Sequence, residues 1–178
     1  VAYDFPFSLN TKFLKENFND DLLLSSLSAR YKDAFKITDL TKYKKFNSYN
    51  LIGMGGSSLG AKAIYSFLKL KIKKKFSFFD NIKVLKYKKN KDKKLNIVIS
   101  KSGNTLETIV NFNTLENTNN SIFITEKKNN YLRKVANEMK SEIFEHKNYV
   151  GGRYSVLSET GMLPASLMGL DFKKFRRL

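Results

Sequence analysis

Short apolar segments recur along this chain of 178 residues, separated by stretches long enough to form helices. All but the last are nearly continuously apolar, as is typical of strands covered on both faces of a sheet. The alternation of strands and helices predicts an α/β fold, a three-layer α-β-α sandwich around a five-stranded parallel sheet. The predicted strands cover residues 49–53, 76–79, 95–100, 121–125 and 142–146.

Three helices are predicted between these strands, over residues 58–70, 104–116 and 129–139. Each has apolar residues at helical spacing, which predicts one face packed against the sheet. In the first helix the residues expected on that face are Leu59, Ala63, Ile64, Phe67, Leu68 and Leu70.

The beginning of the chain has a different pattern. Residues 11–35 read as one or two helices that precede the sheet. Nothing repeats with a fixed short period, which argues against a solenoid. We therefore expect an N-terminal helical extension over residues 1–45, packed on a single domain over residues 46–178.

The composition excludes several classes of protein. The content is 42% hydrophobic with only two prolines, which is globular rather than disordered. The chain has no cysteine, so it has no disulfide and no thiolate metal site, and we expect a cytoplasmic location. Its longest apolar runs fall far short of the roughly 20 residues that span a bilayer, so we expect no membrane partner.

The formal net charge of +17 leaves two explanations open. The lysine runs at 70–75 and 86–94 lie between apolar segments, as expected of solvated connections in a chain with a biased composition. A nucleic-acid surface would also be basic, but no recognition helix or aromatic-basic platform accompanies these runs. We therefore expect no nucleic-acid partner.

Two loops at strand ends carry chemical information, because ligands of parallel sheets bind beyond the carboxyl ends of strands. The first, at 51–64, reads LIGMGGSSLGAKAI and suits a phosphate held at a helix N-terminus. It matches neither the Walker nor the dinucleotide motif, and a glycine-rich turn without ligand remains an alternative. The second loop lies between a strand and a helix and combines hydroxyl and amide groups with a lysine. Its residues are Ser100, Lys101, Ser102, Gly103, Asn104 and Thr105.

The hydroxyls of this second loop have two interpretations. Ser102 and Thr105 can cap the following helix, which is the ordinary reading. A cap needs only one such residue, so the surplus of hydroxyls favours a phosphate monoester cradle. Together the two loops resemble the sugar isomerase (SIS) fold, a family of phosphosugar-binding domains.

A third block sharpens the resemblance. Residues 149–171 read YVGGRYSVLSETGMLPASLMGLD, with Arg153 after two glycines, a helix predicted to begin at Ser155, and Pro164 interrupting its pattern. In this order and spacing the three blocks are similar to the signature blocks of the glucose-6-phosphate isomerase family, in its bacterial form. The resemblance implies an aldose-ketose isomerase of glycolysis and gluconeogenesis, acting on a sugar phosphate without cofactor or metal, and homodimeric when complete.

The resemblance also implies roles for individual residues. Gly56 and Ser57 would contact the phosphate region of the sugar, and the second loop would clasp the phosphate through residues 100–105. Arg153 would stabilise the negative charge of a cis-enediolate intermediate. The loop after the second strand departs from the family pattern, with Asp80 where a serine is expected.

The catalytic base of the family has no match in this chain. The glutamate, histidine and lysine of the family follow the blocks present here, so we expect them, and a second SIS domain, outside this chain. Glu107 and Glu159 match no family position, and His146 lies outside every motif and is interpreted as a bystander. The alternative hypothesis is a stand-alone SIS module that senses phosphosugars.

Overall fold

A computed structural model of the protein describes residues 31–82, 93–115 and 117–176. Five strands are present, as predicted. They are β1 (Ser48–Ile52), β2 (Lys75–Phe79), β3 (Lys94–Ile99), β4 (Ser121–Thr125) and β5 (Glu142–Glu145). The helices predicted within residues 11–35 fall mostly outside the described residues, and residues 31–35 contain no helix.

The strands form one sheet in the order β2-β1-β3-β4-β5, and every neighbouring pair is parallel. The predicted parallel five-stranded sheet is therefore confirmed. The chain leaves β1 toward β2 on one side and continues with β3 on the other side of β1. The order reverses between β1 and β3, and such a point opens a crevice at the carboxyl ends of the strands.

Helices cover both faces of the sheet. They are α1 (Gly56–Phe67), α2 (Leu106–Asn113), α3 (Tyr131–Glu138) and α4 (Glu159–Leu167). Ile97 and Ile99 of β3 belong to one apolar cluster with α1 and α4, and Val98 belongs to another with Phe112 of α2 and Leu132 of α3. Two separate cores on opposite faces confirm the three-layer sandwich. None of the helices in the described residues is both long and apolar enough to cross a bilayer.

The apolar face predicted for α1 is largely wrong. The helix buries Ser58, Ala61 and Ile64. Of the six residues predicted for this face, only Ile64 is buried, and Leu68 is partly buried against the core. The other four are exposed, namely Leu59, Ala63, Phe67 and Leu70. The segment over residues 152–157 approaches α1 so closely that a Cβ on Gly60 would lie 2.7 Å from the side chain of Val156. Small residues therefore line that face, and apolarity alone did not identify it.

The helix predicted to begin at Ser155 begins later. Residues Gly152–Leu157 form a 3-10 helix, and α4 starts after Ser158, whose backbone is extended. The Ser155 hydroxyl donates to the carbonyl of Gly152 at 2.6 Å, which stabilises this tight turn. Pro164 lies inside α4 rather than ending it.

Candidate functional site

The loop between β1 and α1 brings the first turn of α1 against the segment that carries Arg153. Gly55 has φ +55°, a conformation that residues with a side chain rarely adopt. A Cβ on Gly56 would lie 1.9 Å from the carbonyl oxygen of Gly152 and 3.1 Å from the backbone nitrogen of Arg153. A glycine at position 56 therefore permits this contact, with Ser57 as the next residue of the helix.

The loop after β3 is a compact hydroxyl cluster. The Ser100 and Thr105 oxygens are 2.9 Å apart, and the Ser102 oxygen lies 3.5 Å from each. Ser100 also accepts a hydrogen bond from the N–H of Gly103, and Ser102 accepts one from the N–H of Asn104. The alternative interpretation of these hydroxyls as a helix cap does not hold at Thr105, which makes no side-chain cap bond at the start of α2. The hydroxyls thus face one another rather than the helix.

The neighbouring loop after β4 supports this hydroxyl cluster. Gly103 has φ +68°, and a Cβ there would lie 2.0 Å from the Asn130 side chain. The side-chain oxygen of Asn104 accepts the N–H of Tyr131, and the carbonyl of Gly103 accepts the N–H of Leu132. The start of α3 is therefore joined to the turn at Gly103 and Asn104.

A cavity of about 420 Å³ lies at the carboxyl edge of the sheet, at the predicted crevice. Its lining includes five of the nine predicted site residues, namely Ser57, Lys101, Ser102, Asn104 and Thr105. Glu126, Lys128 and Asn129 also line it and were not predicted. They follow β4, whose end lies at the same edge of the sheet, and that placement is the signal that could have found them.

The charged side of the cavity is an ion-pair cluster. Glu126 is 6% exposed, and its carboxylate lies 3.1 Å from the Lys128 ammonium and 3.5 Å from that of Lys101. Burial acts to raise the pKa of Glu126, but the two ammonium groups outweigh it, so the pKa is lowered below its usual range. The Lys101 ammonium also donates to the carbonyl of Asn148 at 2.8 Å. Lys101 thereby joins the loop after β3 to the loop after β5.

The backbone of Arg153 lies against Gly56 of α1, the residue before Ser57 of the cavity lining. The Arg153 side chain is exposed, and its guanidinium carbon lies 6.0 Å from the centre of the Tyr154 ring. The cavity lining does not include Arg153, but it includes Ser57, which follows the Gly56 that touches the Gly152–Arg153 backbone. Within the described part of the chain, no carboxylate is paired with Arg153.

The acidic and imidazole groups considered as bases occupy different surroundings. His146 is 1% exposed, its ring Nδ1 lies 3.0 Å from the carbonyl of Lys147, and burial lowers its pKa. Glu159 is fully buried, and burial raises its pKa despite hydrogen bonds to its carboxylate. Glu107 lies in the first turn of α2 and outside the cavity lining. Across residues 31–82, 93–115 and 117–176, no three acidic or imidazole side chains are grouped to hold a metal ion.

A larger cavity of about 680 Å³ lies at the opposite, amino edge of the sheet. Its lining includes Lys45, Lys73, Lys75 and Lys93. None of the predicted site residues lines it, and parallel sheets bind ligands at the carboxyl edge. The smaller cavity is therefore the candidate site.

Solved structures share this fold. A hypothetical protein from Thermus thermophilus superposes with a TM-score of 0.71 and 24% identity, covering 92% of this chain and 43% of its own. The Vibrio vulnificus NanR protein, solved in complex with ManNAc-6P, superposes with a TM-score of 0.52 and 15% identity over 91% of this chain and 62% of its own. At these identities the likeness concerns the fold alone, which is of the SIS type.

Curated relatives extend the likeness to sequence. The glucose-6-phosphate isomerase of Methanocaldococcus jannaschii is 34% identical over an alignment that covers 81% of this chain and 39% of that protein. That of Mycoplasma genitalium is 33% identical over an alignment that covers 96% of this chain and 40% of that protein. This chain spans about two fifths of the length of these relatives. A sequence model of phosphoglucose isomerase matches residues 40–178. The chain belongs to the phosphoglucose isomerase family.

Proposed function

We propose that the intact protein is a glucose-6-phosphate isomerase, which interconverts glucose 6-phosphate and fructose 6-phosphate through a cis-enediolate. In this proposal the chain supplies the phosphate site and the arginine that stabilises the intermediate. The observation that carries it is the single cavity lined by Ser57 and by the loop after β3, next to the turn that carries Arg153. Family membership supports the same reaction.

The hydroxyl cluster suits a phosphate dianion. Ser100 and Ser102 each accept a backbone N–H. When Ser100 donates to Thr105, the hydrogens of Ser102 and Thr105, which line the cavity, are available to a phosphate. The Ser102 and Thr105 oxygens, 3.5 Å apart, place two donors side by side for one phosphate group. Lys101 and Lys128 place two ammonium groups against one carboxylate beside them, so this part of the cavity carries a net positive charge. Each charge-assisted hydrogen bond to the phosphate contributes about 1.5–3 kcal/mol.

Arg153 has the chemistry that an enediolate requires. A guanidinium keeps its charge at any pH near neutrality and offers a planar fork of donors. With no carboxylate paired to it in the described residues, its charge is available to an anion. A cation aligned with the developing oxyanion in a water-poor site lowers the barrier by a few kcal/mol.

We propose that the proton-transferring base comes from residues outside this chain. A base must reach the substrate and have a pKa close to the working pH. Glu126 lines the cavity, but two lysines lower its pKa and make it a weak base. Glu159 and His146 are buried and lie outside the cavity lining.

The remaining expectations on organisation are part of the proposal. Residues 1–45 form an extension packed on the domain, which the burial of Phe35 and Leu40 in the main apolar cluster supports. The domain over residues 46–178 is one of two SIS domains of a cytoplasmic homodimer. The protein acts without a cofactor, a metal, a nucleic acid or a membrane.

The proposal is tested on the intact protein by activity and by calorimetry with fructose 6-phosphate. The double variant Ser102→Ala/Thr105→Ala removes two donors and is expected to weaken binding by about 100-fold. Arg153→Ala is expected to lower kcat by about 100-fold with a much smaller change in affinity. The control is Thr38→Ala, an exposed hydroxyl outside the cavity lining, for which both values should stay unchanged.

Two outcomes would contradict the proposal. Unchanged affinity in the double variant would exclude the loop after β3 as the phosphate site. An intact protein that binds fructose 6-phosphate but shows no interconversion would exclude the isomerase and favour a phosphosugar-sensing module.

A further inference from the structure

The turn that carries Arg153 is held at its far end by a buried arginine. The carbonyl oxygen of Leu157, the last residue of the 3-10 helix, accepts a hydrogen bond from Nε of Arg176 at 2.9 Å and a second from Nη2. Arg176 is 5% exposed, and arginines are almost never buried without a partner. Its position therefore requires compensation from elsewhere in the chain.

Asp33 provides that compensation from the segment before the sheet. Its two carboxylate oxygens accept hydrogen bonds from Arg176 at 2.8 and 2.6 Å. The Tyr31 ring centre lies 4.8 Å from the guanidinium carbon. A two-pronged pair and a stacked ring together fix the plane of the guanidinium as well as its place.

The same segment holds the residue that follows the turn. The carboxylate of Glu159 accepts the Tyr31 hydroxyl at 2.9 and 3.0 Å and the N–H of Ala34 at 2.8 Å. Burial and the nearby Glu159 charge raise the pKa of Tyr31, so the hydroxyl stays protonated and donates. Residues 31–34 and Arg176 thus secure the chain on both sides of Ser158.

The near end of the turn is secured by α1. Gly152 rests against Gly56, and the Ser155 hydroxyl donates to the carbonyl of Gly152. The side chain of Arg153 is exposed and lies beside the Tyr154 ring. Its direction therefore depends on where its backbone is held.

We infer that Asp33 and Arg176 are positioning residues for the reaction, which place Arg153 against the sugar by holding the carbonyl of Leu157. This inference rests on the proposed function. A buried ion pair is weak evidence of a stabilising role, because a packed apolar pair often replaces it at no cost. A catalytic charge, in contrast, must be held within about 0.5 Å of its productive place. An apolar pair cannot hold a carbonyl oxygen, whereas a guanidinium does.

The test is the double variant Asp33→Leu/Arg176→Met in the intact protein, which exchanges the ion pair for apolar side chains. We expect a Tm lowered by a few degrees at most, because the carbonyl of Leu157 loses its donors, with an unchanged KM for fructose 6-phosphate and a kcat lowered by about 10- to 100-fold. Arg176→Lys keeps one donor and should retain part of kcat. The matched control is Lys42→Met, which removes the exposed ion pair with Glu142 at the amino edge and should leave kcat unchanged.

A double variant with wild-type kcat would overturn the inference. Where the double variant does not fold, Arg176→Lys decides: a lower kcat at unchanged Tm supports a positioning role, and a wild-type kcat overturns it. A wild-type protein without isomerase activity would instead contradict the proposed function. The inference is then judged by the crystal structure of the double variant, where displacement of residues 152–157 supports it and an unchanged turn overturns it.

Discussion

The loop proposed to hold the phosphate and the turn that carries Arg153 are stabilised in different ways. In the loop over residues 100–105, the hydroxyls bond one another and backbone groups two to five positions away. The turn over residues 152–157 depends on distant parts of the chain. Its supports include Tyr31 with Glu159, 128 positions apart, and Asp33 with Arg176, 143 positions apart.

This difference teaches where each kind of site is vulnerable. The hydroxyl bonds of the phosphate loop span two to five positions, and its longer contacts reach the neighbouring loops after β4 and β5. The turn that carries Arg153 adopts its observed conformation only when β1, α1 and the segment before the sheet are already packed. We therefore expect distant substitutions to disturb the arginine end of the site more than the phosphate end.

The largest effect is expected from Gly56→Ala, which tests the long-range support of the Arg153 turn. The added Cβ would lie 1.9 Å from the carbonyl oxygen of Gly152. The atoms it meets belong to the backbone of Gly152 and Arg153, which has little room to move away. We expect the free energy of unfolding to fall by about 3 kcal/mol, at the upper end for overpacking, and kcat to fall with it. Urea denaturation and the isomerase assay measure the two effects.

Gly152→Ala is the matched control, because a Cβ there has no atom within 4 Å. Its free energy of unfolding should change by less than about 1 kcal/mol. Equal destabilisation by the two substitutions would show that the contact between α1 and the turn is unimportant.

A smaller effect is expected from Gly103→Ala, which tests the contact of the phosphate loop with Asn130, just before α3. The substitution combines a positive φ of +68° with a contact at 2.0 Å to the Asn130 side chain. We expect a loss of about 2 kcal/mol in the free energy of unfolding and weaker fructose 6-phosphate binding in calorimetry. The value of kcat at saturating substrate should change less than in Gly56→Ala.

Gly169→Ala separates strain from contact. Gly169 also has a positive φ, +90°, but a Cβ there meets nothing within 4 Å. It should cost only the backbone strain of about 1 kcal/mol and leave sugar phosphate affinity unchanged. A loss of affinity in Gly169→Ala would contradict the role given to the loop at Gly103.

The smallest effect concerns the pH dependence of stability, for which Glu126, paired with Lys101 of the phosphate loop, and Glu159, which follows the Arg153 turn, are expected to respond in opposite directions. Burial acts to raise the pKa of Glu126, but Lys128 and Lys101 lower it, so its contribution is complete above the ordinary value of 4.5 and is lost as pH falls below it. Burial raises the pKa of Glu159, so its native form binds a proton more tightly than the unfolded chain. Its contribution to stability therefore grows as pH falls from neutrality toward 4.5.

Urea denaturation of Glu126→Gln and Glu159→Gln between neutral and acidic pH measures this difference. At acidic pH the free energy of unfolding of wild type relative to Glu126→Gln should fall, and that relative to Glu159→Gln should rise. Relative free energies that change in the same direction would show that the two carboxyls do not have opposite pKa shifts.

Much of the architecture could be predicted from local patterns. The five strands, their parallel arrangement and the loops at their ends follow from runs of apolar residues and from the glycines and hydroxyls after them. The buried face of α1 could not be predicted, because small residues, among them Ser58, Gly60 and Ala61, lie where the segment over residues 152–157 and α4 approach closely, and apolarity does not mark them. Glu126 was missed because nothing near it in sequence shows that β4 ends beside β3.

The sequence by itself determined the class of fold and the chemical character of the phosphate loop, since both depend on residues a few positions apart. Only the tertiary structure decided what holds the arginine end of the site. Asp33, Glu159 and Arg176 are ordinary charged residues in the sequence, and they acquire a role because folding removes them from water together. Burial of a charge requires a partner, and which partner is within reach depends on the whole chain.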